Sequence, residues 1–235
     1  MDKPLISVII PVLHEALGIN ALVEHVRDLP APGPVEVLVV DGAPEADTLA
    51  ALTVDARALS SPPGRARQMN AGAMRATGQS LLFLHADTRL PEHALLLLDE
   101  ALGHKAVAGA FALGFPQDCG PGLRFIAAAA NVRTRLTRVP YGDQAQFFRR
   151  DYFLHRGGYA EIPLMEDLEL MQRIQRRGDR IALLREAVST SPRRWQQEGI
   201  LRCTARNLFI RTLYHFGASP ERLARFYGFG TNHDR

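Results

Sequence analysis

The first half of the chain alternates between apolar blocks and amphipathic blocks. Blocks rich in β-branched and apolar residues cover Leu5–Val12 and Val35–Val40, as in strands. The four apolar residues Leu81–Leu84, with no polar alternation, suit a strand buried on both faces of a parallel sheet. Helical patterns lie between and after them, at Glu15–Leu29, Ala46–Ala51, Arg65–Ala76 and Pro91–Leu102. This order predicts an α/β fold of βαβ units around a mostly parallel central sheet.

The pattern in the second half is mixed. It predicts strands at Ala106–Phe115, Gln146–Arg149 and Ile181–Leu184, and helices around 124–138, at Asp167–Arg177 and at Gly199–Phe216. In the first of these helices the apolar residues Phe125, Ala129, Val132 and Leu136 share one face, with Val139 beyond them. In the last one, Ile200, Ala205, Leu208, Phe209 and Leu213 are expected to point inward. We expect one domain over residues 1–198, with a C-terminal helical extension over 199–235 packed on it.

Composition fits a globular protein, with 46% hydrophobic and 23% charged residues among 235. No apolar run approaches the roughly 20 residues that span a bilayer. The start of the chain leads directly into a strand pattern rather than a signal peptide, so we expect a cytoplasmic protein. Cys119 and Cys203 lack metal-ligand spacing, which favours reduced structural thiols.

The charge is distributed unevenly. Residues 1–121 carry a net charge of −6, whereas residues 122–235 carry +9, all of their positive charges being arginines. The C-terminal half therefore either faces something anionic, such as a pyrophosphate or an acidic lipid surface, or spreads its arginines over solvated helix faces. Nucleic acid is not an expected partner, because there is no compact basic run and no aromatic-interleaved binding motif.

Acidic residues stand where predicted strands end and where a helix begins. Asp41 and Asp87 follow buried strands, and Glu166 and Asp167 open a helix. Each has a structural explanation, since Asp caps turns and acids complement a helix dipole. Ligands of open α/β sheets bind beyond the carboxyl ends of the strands, where a carboxylate can fix a divalent cation against phosphates. Together these acids predict a nucleotide-sugar site.

Five ordered segments carry a family resemblance: Ser7–Glu15, Val37–Gly42, Gly64–Ala73, Leu82–Asp87 and Met165–Leu170. In this order they resemble family 2 glycosyltransferases with the GT-A fold, over roughly residues 5–185. Within the family the chain looks most like the short soluble transferase 2 subgroup that is associated with radical SAM and selenoprotein-like domains. The resemblance implies transfer of a sugar, of the hexosyl class, from a nucleoside diphosphate sugar, with a UDP-sugar favoured.

The resemblance also assigns the donor side of the site. Nucleobase and ribose contacts fall on Pro11, Val12, Glu15 and Asp41, and further donor contacts fall on Arg65, Arg67 and Asn70. The family's Asp-x-Asp metal motif is here His85-Ala86-Asp87, so that Asp87 is the implied ligand of Mn²⁺ or Mg²⁺. His85 either contacts a ribose hydroxyl, joins the metal shell and favours Mn²⁺, or packs beside the strand.

On the reacting side, the resemblance makes Asp167 the base that deprotonates an acceptor hydroxyl, with Glu166 orienting the loop or the acceptor. A single base implies inversion at the anomeric carbon. Asp143 and Gln144 lie on an acceptor-side or loop-ordering turn. Arg194 and Trp195 resemble part of the Gln-x-x-Arg-Trp element of processive members, for diphosphate binding and sugar stacking, but Ser191 replaces its Gln, which argues against a processive synthase.

Three alternatives remain open at this stage. A non-catalytic sugar-nucleotide-binding protein would retain the fold without turnover. A nucleotidyltransferase is less consistent, because Pro11–Glu15 replaces its Gly-rich phosphate loop, and a dehydrogenase lacks its Gly-x-Gly-x-x-Gly turn. The apolar stripes around 124–138 and 199–216 indicate core packing or a homodimer interface, or else peripheral contact with the inner face of a membrane or a lipid acceptor.

Overall fold

An eight-stranded sheet forms the centre of the protein in the computed structural model, which describes residues 5–227. Its strands are β1 (Ile6–Val12), β2 (Val35–Asp41), β3 (Arg57–Ser60), β4 (Ser80–Phe83), β5 (Thr88–Arg89), β6 (Ala108–Gly114), β7 (Phe147–Arg149) and β8 (Ile181–Thr190). They follow the spatial order β3-β2-β1-β4-β7-β6-β8-β5. Neighbours are parallel except where β7 meets β4 and β6, and where β5 meets β8. The predicted α/β fold is confirmed, with a mixed sheet.

Ten α-helices flank the sheet or follow it within the described residues. They are α1 (Ile19–Arg27), α2 (Asp47–Ala50), α3 (Arg65–Arg75), α4 (Ala94–Gly103), α5 (Gly120–Thr137), α6 (Arg150–His155), α7 (Glu166–Arg176), α8 (Arg193–Glu198), α9 (Ile200–His215) and α10 (Pro220–Tyr227). A 3₁₀ turn occupies Gly142–Gln144. None of the helices in this part of the chain is long and apolar enough to cross a bilayer.

Helices cover both faces of the strand β1, which is why it is apolar except at Ser7. Its residues Val8 and Ile10 pack with α1 and α4 on one face of the sheet, while Ile9 packs with α3 and α7 on the other. Successive side chains of a strand point to opposite faces, so a strand covered on both sides is apolar on both. The buried Ser7 has a partner, since its hydroxyl donates to Glu36 (2.6 Å). Helices therefore cover both faces of the sheet, and a ligand site is expected at the edge where the parallel strands have their carboxyl ends.

The helix α5 forms where a helix was predicted, and the core covers a different face from the apolar one, so that of the alternatives left open core packing does not apply. Its inward residues are Leu123, Ala127 and Thr134. The predicted apolar face is exposed instead: Phe125 has 75% and Leu136 79% of its surface accessible. Asn131 explains the orientation, because its side chain accepts from the Leu113 N–H (2.8 Å) and donates to the Leu113 carbonyl (2.9 Å) of β6.

The residues that α9 buries are not those that were predicted to point inward. Cys203 and Ile210 are its buried residues, whereas Leu208 and Phe209, predicted to point inward, are exposed. A small cluster of Leu164, Ile210, Leu223 and Ala224 holds α9 and α10 against the loop before α7. A C-terminal helical extension therefore follows the sheet. Residues 1–4 and 228–235, the two ends of the predicted domains, lie outside the described residues.

Candidate functional site

The carboxyl ends of β1, β2 and β4 meet at one edge of the sheet. The register pairs Val12 of β1 with Asp41 of β2, so these two strands end together. The buried side chain of Gln68, on α3, donates to the Val12 carbonyl (2.7 Å) and to the Val40 carbonyl (2.9 Å). Gly42 leaves room for it, since a Cβ there would lie 2.8 Å from the Gln68 amide carbon. Gln68, which sequence reasoning missed, thus fixes the floor of the site.

Asp41 is fully buried at this edge, with 0% of its surface exposed. Its carboxylate accepts hydrogen bonds from the Ala43 N–H (2.8 Å) and, more weakly, from the Leu49 N–H (3.4 Å). These contacts are those of the Asp-Gly turn. A nucleobase or ribose contact by Asp41 stays a prediction, and it requires the segment after β2 to open.

Glu15 lies at the rim beside Pro11 and Val12, which are both buried. Burial raises the pKa of Glu15, Asp87 raises it further, and Arg193 opposes both. Arg193 and Asp87 are therefore close enough to act on the Glu15 carboxyl. The Ser191 N–H donates to the Asp87 carbonyl (3.0 Å), which brings the start of α8 to this rim.

The residues of α3 that were predicted to contact the donor differ in what they bind. Arg65 forms an ion pair through its Nε with Oε1 of the buried Glu166, at the start of α7. Burial acts to lower the pKa of Arg65, but the charges of Glu166 and Asp167 outweigh it and the pKa is raised. The pair, of which only Glu166 is buried, therefore joins α3 to the helix that carries Asp167.

Arg67 and Asn70 hold a nearby loop. The Arg67 Nε pairs with Glu161 Oε2 at 3.2 Å, with both side chains about half exposed. The Asn70 amide donates to the Tyr159 carbonyl (2.8 Å) and accepts from the Tyr159 N–H (3.0 Å). Both residues contact protein groups here, and their predicted donor contacts stay predictions.

His85, Ala86 and Asp87 follow β4 at the same edge. Burial lowers the pKa of His85 to about 4, and Arg65 lowers it too, against the opposing charges of Asp87 and Asp167. The imidazole is therefore neutral at pH 7 and able to accept a hydrogen bond or a metal. Asp87 is exposed, and its Oδ1 accepts from the Thr88 hydroxyl at 3.2 Å.

These residues fit a cation that is held jointly with a diphosphate. Within residues 5–227 no three His, Cys, Asp or Glu side chains are grouped to hold a metal by themselves. Mg²⁺ in nucleotide sites commonly takes one or two carboxylates and completes its shell with phosphate oxygens and water. Asp87 supplies an exposed carboxylate, and the neutral His85 beside it adds a nitrogen ligand that suits Mn²⁺.

Asp167 is held by a backbone N–H from another part of the chain. Gly142 donates its N–H to Asp167 Oδ2 at 2.5 Å, and the Leu168 N–H donates to Oδ1 at 2.8 Å. A Cβ on Gly142 would lie 3.0 Å from Asp167 Oδ2 and 3.3 Å from the His85 ring. His85, Gly142 and Asp167 are thus packed together, which brings the predicted metal side and the predicted base to one place.

The turn after Tyr141 contributes two residues of different character. Gln144 is buried and forms part of the fold: its Oε1 accepts from the Thr134 hydroxyl (2.9 Å), and its Nε2 donates to the Phe111 carbonyl (3.0 Å). Asp143 is only partly buried, and burial raises its pKa to about 6 despite the nearby charge of Arg133. Asp143 is therefore the member of the turn that is free to face a ligand.

Left-handed backbone recurs beside the predicted site residues. His14, Ala145 and Met165, which adjoin Glu15, Gln144 and Glu166, have φ values of 56°, 47° and 69°. Such a conformation costs a non-glycine residue about 1–2 kcal/mol, and it concentrates at functional sites. Met165 directly precedes α7, so its left-handed backbone sets the direction in which α7 begins with Glu166 and Asp167.

Arg194 and Trp195 make contacts within the C-terminal part of the chain. The Arg194 guanidinium donates to the Tyr227 hydroxyl and also lies 5.0 Å from that ring. Trp195 packs edge-on against Phe115 at 5.2 Å. The structure therefore brings Arg193, rather than Arg194, near Glu15, and the roles predicted for Arg194 and Trp195 stay predictions.

Known proteins match this chain by sequence and by structure. Residues 7–118 match the model of Glycosyl transferase family 2, a span that includes Asp41 and Asp87 but ends before Asp167. A sequence search of curated proteins found no match. The structure of S. aureus TarS 1-349 in complex with UDP is similar, with a TM-score of 0.63 and 16% identity over 79% of this chain.

Two further structures show the same fold. The mannosyltransferase PcManGT from Pyrobaculum calidifontis, in complex with GDP-Man and Mn²⁺, has a TM-score of 0.59 and 20% identity over 81% of this chain. S. aureus TarS 1-349 in complex with UDP-GlcNAc has a TM-score of 0.57 and 17% identity over 79%. The chain spans only 57% to 60% of the length of these three structures. The first half of this chain thus matches Glycosyl transferase family 2, and the described residues have the GT-A glycosyltransferase fold.

Proposed function

We propose that this protein is a metal-dependent, inverting glycosyltransferase of family 2 that moves a sugar from a nucleoside diphosphate sugar to a hydroxyl acceptor. The observation that carries the proposal is the position of Asp167. Its carboxylate is held by the Gly142 N–H at 2.5 Å and packs with His85, beside the strand end that carries Asp87. A candidate base and a candidate metal ligand therefore flank one reaction space.

The chemistry follows from these positions. An acceptor hydroxyl oxygen forms a bond to the anomeric carbon of the donor, while the bond from that carbon to the diphosphate oxygen breaks. The hydroxyl proton passes to Asp167, and the bonding electrons leave with the nucleoside diphosphate. Asp87 would hold a divalent cation, which would supply positive charge that stabilises the departing diphosphate. Attack from the face opposite the leaving group inverts the anomeric centre.

The residues around Asp167 keep it in place for this role. Gly142 fixes one carboxylate oxygen, and the ion pair of Arg65 with the buried Glu166 anchors the first turn of α7. Both acids stand at the N-terminus of a helix, where negative charge is stabilised. Asp167 is therefore held in one orientation, from which its carboxylate can accept a proton.

The choice of donor rests on the similar structures, which carry UDP, UDP-GlcNAc and GDP-Man, the last with Mn²⁺. They support a nucleoside diphosphate sugar, and we favour a UDP-sugar and a hexosyl group. The placement in the short transferase 2 subgroup and the cytoplasmic location also stay predictions. So do the single-domain organisation and the contact with a homodimer partner or a membrane.

The test is nucleotide release from a panel of UDP-, GDP- and dTDP-sugars with Mn²⁺ or Mg²⁺. Asp167→Asn should lower turnover by about 10²- to 10⁴-fold, the usual contribution of a general base, while UDP still binds. Asp118→Asn is the matched control, because Asp118 is exposed and remote from Asp167 in the sequence. Donor binding without turnover, unchanged by Asp167→Asn, would instead establish a non-catalytic sugar-nucleotide-binding protein.

A further inference from the structure

Two arginines meet on the ring of Tyr141, the residue before Gly142. The guanidinium carbon of Arg133 lies 3.6 Å from the ring centroid, and that of Arg211 lies 5.7 Å from it. They come from α5 and α9, and the starts of these two helices also meet, since a Cβ on Gly122 would lie 3.2 Å from Ile200. The two helices therefore approach each other at their starts, and each directs one arginine to the Tyr141 ring.

Neither member of the arginine pair forms an ion pair within residues 5–227, although the charges of Asp143 and Asp167 act on Arg133. Arg133 donates to the Thr134 hydroxyl (3.0 Å) and to Gln144 Oε1 (3.5 Å), but its Nε is buried without a partner. Arg211 forms no ion pair and no hydrogen bond in this part of the chain, only its contact with the Tyr141 ring. Two unpaired guanidinium groups repel each other, and an anion between them removes that cost. Their planar donors suit phosphate and carboxylate oxygens.

The arginine pair lies close to the candidate base. Tyr141, whose ring both arginines approach, directly precedes Gly142, and the Gly142 N–H donates to Asp167. Asp143 lies near enough to both Arg133 and Asp87 for their charges to act on its pKa, so the arginine pair and the candidate metal ligand belong to one site. Because the proposed function places the donor diphosphate at Asp87, we assign the arginine pair to the acceptor.

We propose that the acceptor carries an anionic group, a phosphate or a carboxylate, which Arg133 and Arg211 bind while the acceptor hydroxyl lies at Asp167. This inference rests on the proposed function and adds to it the chemical class of the acceptor. The anion fixes one end of the acceptor, and Asp167 takes the proton from the other end.

The same anion can come from a soluble metabolite or from a lipid headgroup. The outer faces of α5 and α9 bear on this point, because Phe125, Leu136, Leu208 and Phe209 are exposed on the two helices that supply the arginine pair. Exposed apolar groups near an anion site suit an acceptor with an apolar chain. The test therefore contains one arm for each source.

The probe for the site is inorganic phosphate, titrated by calorimetry into the full-length protein saturated with UDP and Mg²⁺. Saturation with UDP keeps phosphate out of the donor site. We expect saturable binding that weakens at least tenfold in Arg133→Met and in Arg211→Met. The matched controls are Arg135→Met on α5 and Arg202→Met on α9, both at exposed positions, and they should bind phosphate as the natural protein does.

Two results would overturn the inference: no phosphate binding by the natural protein, or an equal loss in the control variants. If Arg133→Met does not fold, Arg211→Met still decides the question, because Arg211 forms no hydrogen bond within the described residues. The UDP titration is a separate readout. A protein that binds phosphate at the arginine pair but never binds UDP would keep the anion site and refute glycosyl transfer.

The source of the anion follows from competition with phosphate. Glycerol 3-phosphate represents the soluble arm, with glycerol as its neutral counterpart. Vesicles containing phosphatidylglycerol represent the lipid arm, with diacylglycerol in phosphatidylcholine as the neutral counterpart. We expect only the anionic member of a pair to displace phosphate and to accept sugar. Displacement by neither anionic compound would contradict an anionic acceptor.

Discussion

The ion pair between Arg65 and Glu166 gives the sharpest test of the energetics of the site. The Glu166 side chain is 2% exposed and that of Arg65 is 39% exposed. Removing one partner of a fully buried pair costs about 3–5 kcal/mol, because a buried charge is left unpaired. Water reaches the guanidinium side of this pair and offsets part of that cost. We therefore expect Arg65→Met to lower the free energy of unfolding by about 2–3 kcal/mol at pH 7.

A second ion pair, whose arginine also lies on α3, serves as the control. Arg67 and Glu161 lie 3.2 Å apart, but their side chains are 52% and 58% exposed. An exposed pair contributes about 0.2–1 kcal/mol, so Arg67→Met should cost little. The assay is urea unfolding followed by circular dichroism, on the natural protein and both variants.

The double variant Arg65→Met/Glu166→Gln tests the stated cause. If the loss in Arg65→Met comes from the unpaired Glu166 carboxylate, removing that charge should recover more than half of it. Equal losses in Arg65→Met and Arg67→Met, or no recovery in the double variant, would refute the argument from burial.

Three further predictions concern the site. Gly142→Ala should lower kcat about tenfold with UDP affinity unchanged, because the new Cβ would lie 3.0 Å from Asp167 Oδ2 and displace the base by a few tenths of an ångström. Gly103→Ala is the control: a Cβ there meets open space, so nucleotide release should not change. His85→Asp should lower the Mg²⁺ concentration for half-maximal activity by about tenfold, since it places a second carboxylate at the cation; an unchanged metal titration would remove His85 from the metal shell. The raised pKa of Asp143, about 6, makes the folded state bind more protons than the unfolded chain between the ordinary Asp pKa and that value, so stability falls as the pH rises through this window. Urea unfolding should therefore show Asp143→Asn gaining on the order of 1 kcal/mol relative to the natural protein between pH 5 and pH 7, and a gain of zero would contradict the raised pKa of Asp143.

The strands of the first half were predictable because burial on both faces leaves a direct mark on the sequence. The predicted Leu5–Val12 and Val35–Val40 differ by one residue at one end from β1 and β2. The strand β3 was missed for the opposite reason: it lies at the edge of the sheet, none of its residues is buried, and Arg57–Ser60 carries no apolar run. The two residues of β5 are too few to form a pattern.

The apolar faces of α5 and α9 show where periodicity stops being informative. The spacing of Phe125 and Leu136 does place them on one side of a helix, but the spacing does not state what covers that side. The orientation of α5 is set by a polar residue, Asn131, through two hydrogen bonds to the backbone of Leu113. Such a contact depends on the tertiary fold, so a pattern of apolar residues does not contain it.

The candidate site was predictable as a set of residues but not as a set of partners. Strand ends and helix starts placed Asp87 and Asp167 at one edge of the sheet. Their neighbours come from distant segments: Gly142 lies 25 residues from Asp167, and Arg65 lies 101 residues from Glu166. No local rule connects such positions, and the same is true of the arginine pair on Tyr141, which joins two helices.

The hydrogen-bond partners of each residue separate those that build the site from those left to meet a ligand. Asp41 and Asn70 form hydrogen bonds with backbone atoms, and Gln144 forms them with the backbone and with a buried hydroxyl. The polar groups of these three residues are therefore already paired within the protein, as buried polar groups usually are. Asp87 and Arg211 differ, because neither forms an ion pair within residues 5–227. Asp87 is exposed at the end of a strand, and Arg211 lies over the Tyr141 ring. Two groups of opposite sign that the fold leaves without a partner suit two ligands at once: a cation with its diphosphate at Asp87, and an anionic acceptor at Arg211.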